Sequence, residues 1–237
     1  ARELPFAGHP TIGTALVLAE YGSPIYEAAG RERIVLEEGI GPVAVELQRH
    51  KGRPTFARFQ GTRPVELLPD RVAPEALAAA LGLEPGDLDP GFPARIASAG
   101  VPFWMIGVRD RSALARTSAD DLAAFAGSAC KEVFVFAFDP EREGSDVRAR
   151  VFAPEFGIAE DPATGSACAA FAGYLAEFLA TVRESGTGSF SFRIEQGFEM
   201  GRPSLIDIWI EKNDGKAAPP RVGGSCVFFS AGRLRVD

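Results

Sequence analysis

One short motif occurs twice in this chain. It reads Gly8-His9-Pro10-Thr11-Ile12-Gly13-Thr14-Ala15 and, 152 residues later, Glu160-Asp161-Pro162-Ala163-Thr164-Gly165-Ser166-Ala167. Pro, Gly, a hydroxyl residue and Ala coincide at this offset, which places His9 opposite Asp161. Each copy continues into an apolar segment, Leu16–Ala19 or Cys168–Ala172. Each copy therefore predicts an entry turn followed by a buried helix, and the chain is expected to fold as two similar halves.

The repetition extends into the strands that follow. Leu36-Glu37-Glu38-Gly39 is echoed by Ile194-Glu195-Gln196-Gly197, and a second strand follows each, at Val43–Leu47 and Ile206–Ile210. The second helix, expected from Pro162 to Val182, is apolar around most of its circumference and so belongs inside a core. The sequence thus predicts an α+β fold of two pseudo-symmetric domains, each a curved, mostly antiparallel, barrel-like sheet wrapped around a central helix.

The predicted domain boundaries follow a candidate linker at Gly61-Thr62-Arg63-Pro64. Residues 1–62 with 221–237 would form the first domain and residues 63–220 the second, with a cleft between them. Helices are also predicted at Pro74–Leu83 and Ala119–Ala126, and a turn-rich loop at Asn213–Pro220. The predicted strands, β-branched or aromatic runs for the most part, are Arg33–Glu37, Pro42–Gln48, Thr55–Gln60, Val101–Val108, Glu132–Phe138, Val147–Phe152, Phe190–Glu195, Ser204–Glu211 and Cys226–Phe229.

Composition excludes several functional classes. The net charge of −7 argues against binding to nucleic acid or to an anionic membrane, and no secretory signal or membrane-spanning segment is apparent. Eighteen Phe residues against two Trp and three Tyr predict a core filled by rings without polar groups. The three cysteines, Cys130, Cys168 and Cys226, form no CxxC pair and are expected to be buried free thiols. A cytoplasmic protein is expected.

His9 and Asp161 are the candidate acid/base residues. Asp161 before Pro162 is also what a structural helix N-cap looks like, but His9, at the equivalent position of the first copy, is a poor cap. The only other histidine, His50, lies in a polar turn and is expected to be solvated. The positive field of a helix N-terminus would keep His9 neutral and Asp161 ionised, so that His9 can accept a proton.

The glycines of the two motifs predict an anion site. Gly165-Ser166 and Gly13-Thr14 are expected in or near a first helical turn, where unpaired N–H groups hold a carboxylate or phosphate. Close helix–strand packing is the alternative explanation, above all for Gly13. The sequence contains no Walker A motif, GxGxxG fingerprint, HExxH or GxSxG elbow, so neither a cofactor nor a metal is expected.

Three segments together resemble one family. They are Glu3-Leu4-Pro5-Phe6-Ala7-Gly8-His9-Pro10-Thr11-Ile12-Gly13-Thr14-Ala15, the 160–167 motif, and Ile194–Gly197 followed by Met200-Gly201-Arg202-Pro203-Ser204. This chain is similar to the PhzF-like phenazine-biosynthesis isomerases. The resemblance implies a fold like that of diaminopimelate epimerase, a homodimer, and cofactor-independent proton transfer on a small carboxylate, as in isomerisation of a dihydro-hydroxyanthranilate.

The resemblance also implies site residues. His9 and Asp161 would belong to the catalytic site, and Gly8, Thr164, Gly165 and Ser166 would line the substrate-carboxylate pocket. The family's principal acid/base is a glutamate about thirty residues before the Gly-His motif, a position that this chain does not contain. The first half is also short of leading strands, so we expect the chain to begin inside its first domain and its activity on its own to be in question.

Two alternatives remain open. A homologue without turnover would bind a small carboxylate, or act in regulation, without exchanging carbon-bound protons. An amino-acid epimerase or racemase of the same superfamily would need two thiols at the cleft. The repeat does not supply them, because Cys168 aligns with Leu16 inside a helix.

Overall fold

The computed structural model describes residues 7–22, 32–119, 123–125, 127–232 and 235. Within these ranges the chain is a mixed α+β structure with few helices and many short strands. The helices are α1 (Gly8–Tyr21), α2 (Pro74–Ala80), α3 (Arg111–Arg116), α4 (Gly165–Phe178) and α5 (Ala180–Arg183). The strands are β1 (Arg33–Glu38), β2 (Gly41–His50), β3 (Arg53–Gln60), β4 (Glu66–Leu68), β5 (Arg95–Ser98), β6 (Pro102–Gly107), β7 (Val133–Ala137), β8 (Val147–Ala153), β9 (Ile158–Asp161), β10 (Gly188–Gln196), β11 (Ser204–Asn213), β12 (Lys216–Ala217) and β13 (Arg221–Gly224).

These strands join one large curved sheet. Its order is β1-β2-β3-β13-β11-β10-β8-β7-β6-β5-β4, while β9 pairs with β8 and β12 with β11. Only the β6–β7 and β8–β10 pairs are parallel among the described strands. The short strand β13 lies between the two halves, because it pairs with β3 on one side and with β11 on the other.

The sheet covers both central helices. Helix α1 packs on β2 and β3, whereas α4 packs on β11, β13, β5 and β6. Leu16 of α1 and Phe171 of α4 are almost fully buried in the same apolar core. Helices α1 and α4 are therefore interior elements, as their apolar composition predicts, and the predicted fold class is confirmed.

A second apolar cluster lies on the other face of part of the sheet. In β6, Phe103 and Met105 face the core around α4, while Trp104 and Ile106 pack in the cluster that contains residues of α2 and α3. Burial on both faces explains why this strand reads as an uninterrupted apolar run. The predicted Phe-rich core is confirmed: the ring of Phe171 lies 4.8 Å from that of Phe134 and 4.7 Å from that of Phe136.

The second central helix is shorter than the predicted Pro162–Val182. Helix α4 begins at Gly165, with Thr164 as its N-cap residue, and Asp161 is the last residue of β9. The proline explains the difference, because a residue before proline is biased toward extended backbone. The interpretation of Asp161 as an N-cap is thus wrong. At the other end, Leu179 adopts an extended conformation and separates α4 from α5.

The structural repeat has a different offset from the one read from the motif. Both helices begin at a glycine, Gly8 and Gly165, which are 157 residues apart, and the strands end at Glu38 and Gln196, which are 158 residues apart. The position equivalent to His9 is therefore Ser166, and the alignment of His9 with Asp161 is wrong. Gly13 lies in the second turn of α1, where a Cβ atom would meet nothing within 4 Å, so neither predicted role of Gly13 holds.

Three other predictions differ from the structure. The segment Cys226–Phe229 is not a strand: the ladder ends at the pair Ala57↔Gly224, and no described strand pairs with the residues beyond it. Cys226 is consequently exposed, whereas Cys130 and Cys168 are buried free thiols as predicted. Of the predicted helix Ala119–Ala126, residues 120–122 and 126 lie outside the described residues, and one 3-10 turn forms at Ala123–Phe125. The domain boundaries stay a prediction.

Candidate active site

The N-termini of the two central helices meet at a pair of glycines. A Cβ atom on Gly8 would lie 2.5 Å from the Cα atom of Gly165, and one on Gly165 would lie 2.9 Å from the Cα atom of Gly8. Only residues without a side chain allow this approach. It brings the unpaired N–H groups and the positive dipole ends of α1 and α4 to one place, which suits an anion.

A small pocket of about 110 Å³ lies beside this glycine pair. All six residues predicted for the site line it: Gly8, His9, Asp161, Thr164, Gly165 and Ser166. Phe103, Phe156 and Ile158 contribute apolar walls. The structure thus brings together every candidate residue, from two helices and one strand end, around a cavity the size of a small polar group.

His9 occupies the first turn of α1 and is oriented by the other motif. Its Nδ1 atom donates a hydrogen bond to the carbonyl oxygen of Ala163 over 2.6 Å. A carbonyl oxygen can only accept, so Nδ1 carries the proton whenever the ring is neutral. The Nε2 atom of that tautomer has a free lone pair and can accept a proton, as a general base requires.

Asp161 is held by its neighbours at the end of β9. The hydroxyl group of Thr164 donates to Oδ2 of Asp161 over 2.6 Å. The side chain of Gln196 donates to the Asp161 carbonyl oxygen over 2.6 Å, and Gln196 is fully buried. Sequence reasoning missed this part of the site, although Gln196 stands in the segment that echoes Leu36–Gly39.

A larger cavity of about 760 Å³ shares part of this lining. Gly8, His9, Ala163 and Gly165 border both cavities. The larger one is also lined by aromatic and charged side chains, which include Phe59, Arg193, Asp207 and Trp209. His9 therefore stands at the boundary between a small, partly polar pocket and a more spacious groove.

The cysteines do not supply a pair of reactive thiols. Cys168 lies inside α4 with no exposed surface, and burial raises the pKa of its thiol. Burial likewise raises the pKa of Cys130 to about 12. No cysteine lines the small pocket among the described residues, which gives no support to a two-thiol racemase.

Within the described ranges, no group of three or more His, Cys, Asp or Glu side chains is arranged to hold a metal ion. No helix there has the length and apolar character needed to cross a membrane.

Comparison with known proteins agrees with the resemblance read from the motifs. The model of the phenazine biosynthesis-like protein family matches residues 1–232. This chain belongs to that family. Its relatives include an uncharacterized isomerase of Mesorhizobium japonicum, which is 39% identical over 98% of this chain and 76% of its own length. The trans-2,3-dihydro-3-hydroxyanthranilate isomerase of Pseudomonas aeruginosa is 32% identical over 98% of this chain and 75% of its own length.

A solved structure of the family has the same fold. The PhzF-family phenazine biosynthesis protein of Bacillus anthracis matches with a TM-score of 0.79 and 20% identity, over 95% of this chain and 74% of that one. At this identity the match concerns the fold alone. Both relatives described above are named isomerases, and the Bacillus anthracis protein shares the arrangement of helices within a curved sheet.

Proposed function

We propose that this protein is an isomerase that removes a proton from a carbon atom of a small carboxylate and returns a proton to carbon, without a cofactor. The observation that carries this proposal is the convergence of His9, Asp161 and two helix N-termini on one small pocket. The N–H groups at Gly165 and Ser166, with Gly8 beside them, would bind the carboxylate. Thr164 would line the pocket and hold Asp161.

In this proposal His9 and Asp161 exchange protons with the substrate. The Nε2 atom of His9 accepts a proton as the C–H bond breaks, and the electron pair shifts into the substrate's unsaturated system. The protonated His9 ring then donates a proton at carbon, which leaves a product with the same charge as the substrate and a neutral imidazole, and Asp161 is the second group placed to take part in such a transfer. The larger cavity beside His9 would accommodate the rest of the substrate.

The test is exchange of carbon-bound hydrogen with solvent. The probe is trans-2,3-dihydro-3-hydroxyanthranilate, which a relative is named for and which carries a carboxylate. The protein is incubated with it in heavy water, and NMR follows product formation and deuterium at carbon. We expect isomerisation with deuterium incorporation. Binding of the probe without exchange would contradict the isomerase proposal and favour the carboxylate-binding alternative.

A matched pair of variants tests His9 itself. His9→Asn keeps a side-chain N–H that can reach Ala163 but removes Nε2, so we expect exchange to fall by about 10²–10⁴-fold. His50→Asn changes the other histidine, which is exposed at the end of β2, and should leave the rate unchanged. Wild-type exchange by His9→Asn would remove His9 from the mechanism. The homodimer implied by the family resemblance stays a prediction, and sedimentation equilibrium measures it directly.

A further inference from the structure

Gln196 makes an unusually complete set of hydrogen bonds for a side-chain amide. It is the last residue of β10, and none of its surface is exposed. Its Oε1 atom accepts from the backbone N–H of Thr164 over 3.1 Å. Its Nε2 atom donates to Thr164 Oγ1 over 2.9 Å and to the Asp161 carbonyl oxygen over 2.6 Å. All three bonds end on the 161–164 turn.

These bonds determine where the Thr164 hydroxyl proton points. Thr164 Oγ1 accepts a hydrogen bond from Gln196, so its single proton is free to donate to Oδ2 of Asp161. A directed chain therefore runs from Gln196 through Thr164 to the carboxylate. The same amide occupies the N–H of Thr164, which leaves the N–H groups from Gly165 onward for an anion.

The backbone next to Gln196 is fixed as well. Gly197 has a φ of +78°, and a Cβ atom there would lie 2.4 Å from the Arg202 carbonyl oxygen and 2.9 Å from the Cα atom of Pro162. Gly197 is therefore packed directly against the 161–164 turn. This close packing sets the distance from which the Gln196 side chain reaches Asp161.

The first half of the chain contains the corresponding residue with different chemistry. Glu38 ends β1 just before a glycine, as Gln196 ends β10, and it accepts a hydrogen bond from Thr11 Oγ1 in α1. A carboxylate suffices there because it only accepts. At position 196 two donated bonds are needed, and a second carboxylate would lie beside Asp161.

We infer that Gln196 is a positioning residue for Asp161: its amide fixes the Thr164 hydroxyl and the 161–164 turn, and thereby sets the carboxylate for proton transfer. This inference rests on the proposed function. It assigns Gln196 no contact with the substrate. Its loss should accordingly lower turnover far more than it weakens substrate binding.

The first test separates kcat from KM. In Gln196→Met, a variant of similar volume without hydrogen bonds, we expect kcat for the isomerisation to fall by at least tenfold while KM changes less than threefold. Gln196→Glu keeps the acceptor but replaces the donors with a carboxylate, and it should lower kcat at least as much. The matched control is Glu38→Gln, which keeps the acceptor for Thr11 and should leave both constants unchanged. A wild-type kcat in Gln196→Met would overturn the inference.

A second test asks whether Gln196 acts through Thr164. In a double-mutant cycle, Gln196→Met should have little further effect on kcat when Thr164 is already Val, because the hydroxyl that it orients is gone. Full additivity would overturn the proposed chain of contacts. If one variant fails to fold, the double-mutant cycle cannot be completed. A comparison of kcat between Gln196→Glu and Glu38→Gln then decides whether Gln196 positions Asp161.

A third readout does not depend on activity. NMR of the wild-type protein should show the Thr164 amide protected from hydrogen exchange, and the Asp161 carboxyl carbon should shift in Gln196→Met but not in Glu38→Gln. If the wild-type protein shows no turnover, the proposed function fails, while this measurement still decides whether Gln196 holds Asp161. An unchanged Asp161 signal and an unchanged Thr164 exchange rate would reject that role.

Discussion

Gly8 and Gly165 are in direct backbone contact, so that a Cβ atom on either would lie within 3 Å of the other's Cα atom. Because neither side of this contact is a flexible side chain, the two helices would have to separate to admit even one methyl group. The contact thus links the packing of α1 against α4 to the dimensions of the pocket between them.

Gly8→Ala and Gly165→Ala are therefore expected to lower the free energy of unfolding by about 1–3 kcal/mol, as overpacking does. They should also abolish the exchange of the substrate's carbon-bound hydrogen with solvent. Gly13→Ala is the matched control. It lies in the interior of α1 with open space at its Cβ position, and it should stabilise the protein by about 0.5–1 kcal/mol through helix propensity. Urea unfolding and the heavy-water assay measure both effects. A neutral Gly8→Ala would show that the helices are not in contact.

A second glycine contact joins α4 to the chain after the predicted linker. A Cβ atom on Gly173 would lie 2.2 Å from the Cβ atom of Val65 and 2.6 Å from each of its methyl carbons. We expect Gly173→Ala to cost about 1–3 kcal/mol of unfolding free energy. Val65→Gly removes the clashing atoms, so the double variant should recover part of that loss, and the four unfolding free energies give the coupling. Additive costs would contradict the contact.

Much of the fold could be predicted because its interior is repetitive and apolar. The apolar circumference of the segment Pro162–Val182 predicts a central helix, and Phe134 and Phe136 belong to a β-branched and aromatic run that predicts a strand. The helix starts could not be predicted equally well. Similar residues 152 positions apart suggested one alignment of the two halves of the chain. The backbone contact of Gly8 with Gly165 instead joins residues that are 157 positions apart.

The identity of the site residues could likewise be predicted from the sequence, whereas their orientation could not. The six residues are local motif members, and a short segment suffices to suggest them. Their orientation depends on groups distant in sequence: the Ala163 carbonyl oxygen directs His9, and the Gln196 amide directs Asp161 through Thr164. A carbonyl oxygen has no sequence signature. Gln196 did have one, its place in the echo of Leu36–Gly39, but its contacts appear only when the chain is folded.

A buried ion network joins β8 to β10 and to the turn that follows β10. Arg148 is 4% exposed, and it pairs with Glu195 and Glu199 over 2.9 Å each, with its guanidinium carbon 3.9 Å from the centroid of the Phe198 ring. Arg148→Met would leave the buried Glu195 carboxylate without its partner, so we expect a loss of about 3–5 kcal/mol of unfolding free energy. Arg53→Met, which breaks an exposed pair with Glu20, should leave it close to wild type. Equal effects of the two variants would contradict this.

The same network makes stability depend on pH in acid. Burial by itself would raise the pKa of Glu195, but hydrogen bonds from the backbone N–H groups of Glu141 and Arg142 and from Arg148 lower it below its usual value. A carboxyl with a lowered folded-state pKa stabilises the protein above its unfolded pKa, and this contribution is lost as the pH falls through the folded value. Glu195→Gln should therefore flatten the acid side of a plot of unfolding free energy against pH. An unchanged acid slope would exclude this role.

Glu132 should have the opposite pH dependence. It is 2% exposed, and its Oε1 atom has no hydrogen-bond partner among the described residues. Burial, with a smaller contribution from the charge of Glu155, raises the pKa of the Glu132 carboxyl. A carboxyl with a raised folded-state pKa favours folding below its unfolded pKa, and that advantage is lost as the pH rises through the folded value.

Glu132→Gln is therefore expected to raise the midpoint of urea unfolding at pH 8, where the raised pKa of Glu132 costs the wild-type protein stability, and to change it little at pH 4. Glu143→Gln, an exposed change of the same kind in the 138–146 loop, controls for the loss of one negative charge and should have a small effect at both values. The decisive quantity is the difference in urea midpoint between Glu132→Gln and Glu143→Gln at pH 8, minus the same difference at pH 4. If it is zero or negative, the pKa of Glu132 is not raised in the folded protein, and its Oε1 atom has a partner that offsets the cost of burial.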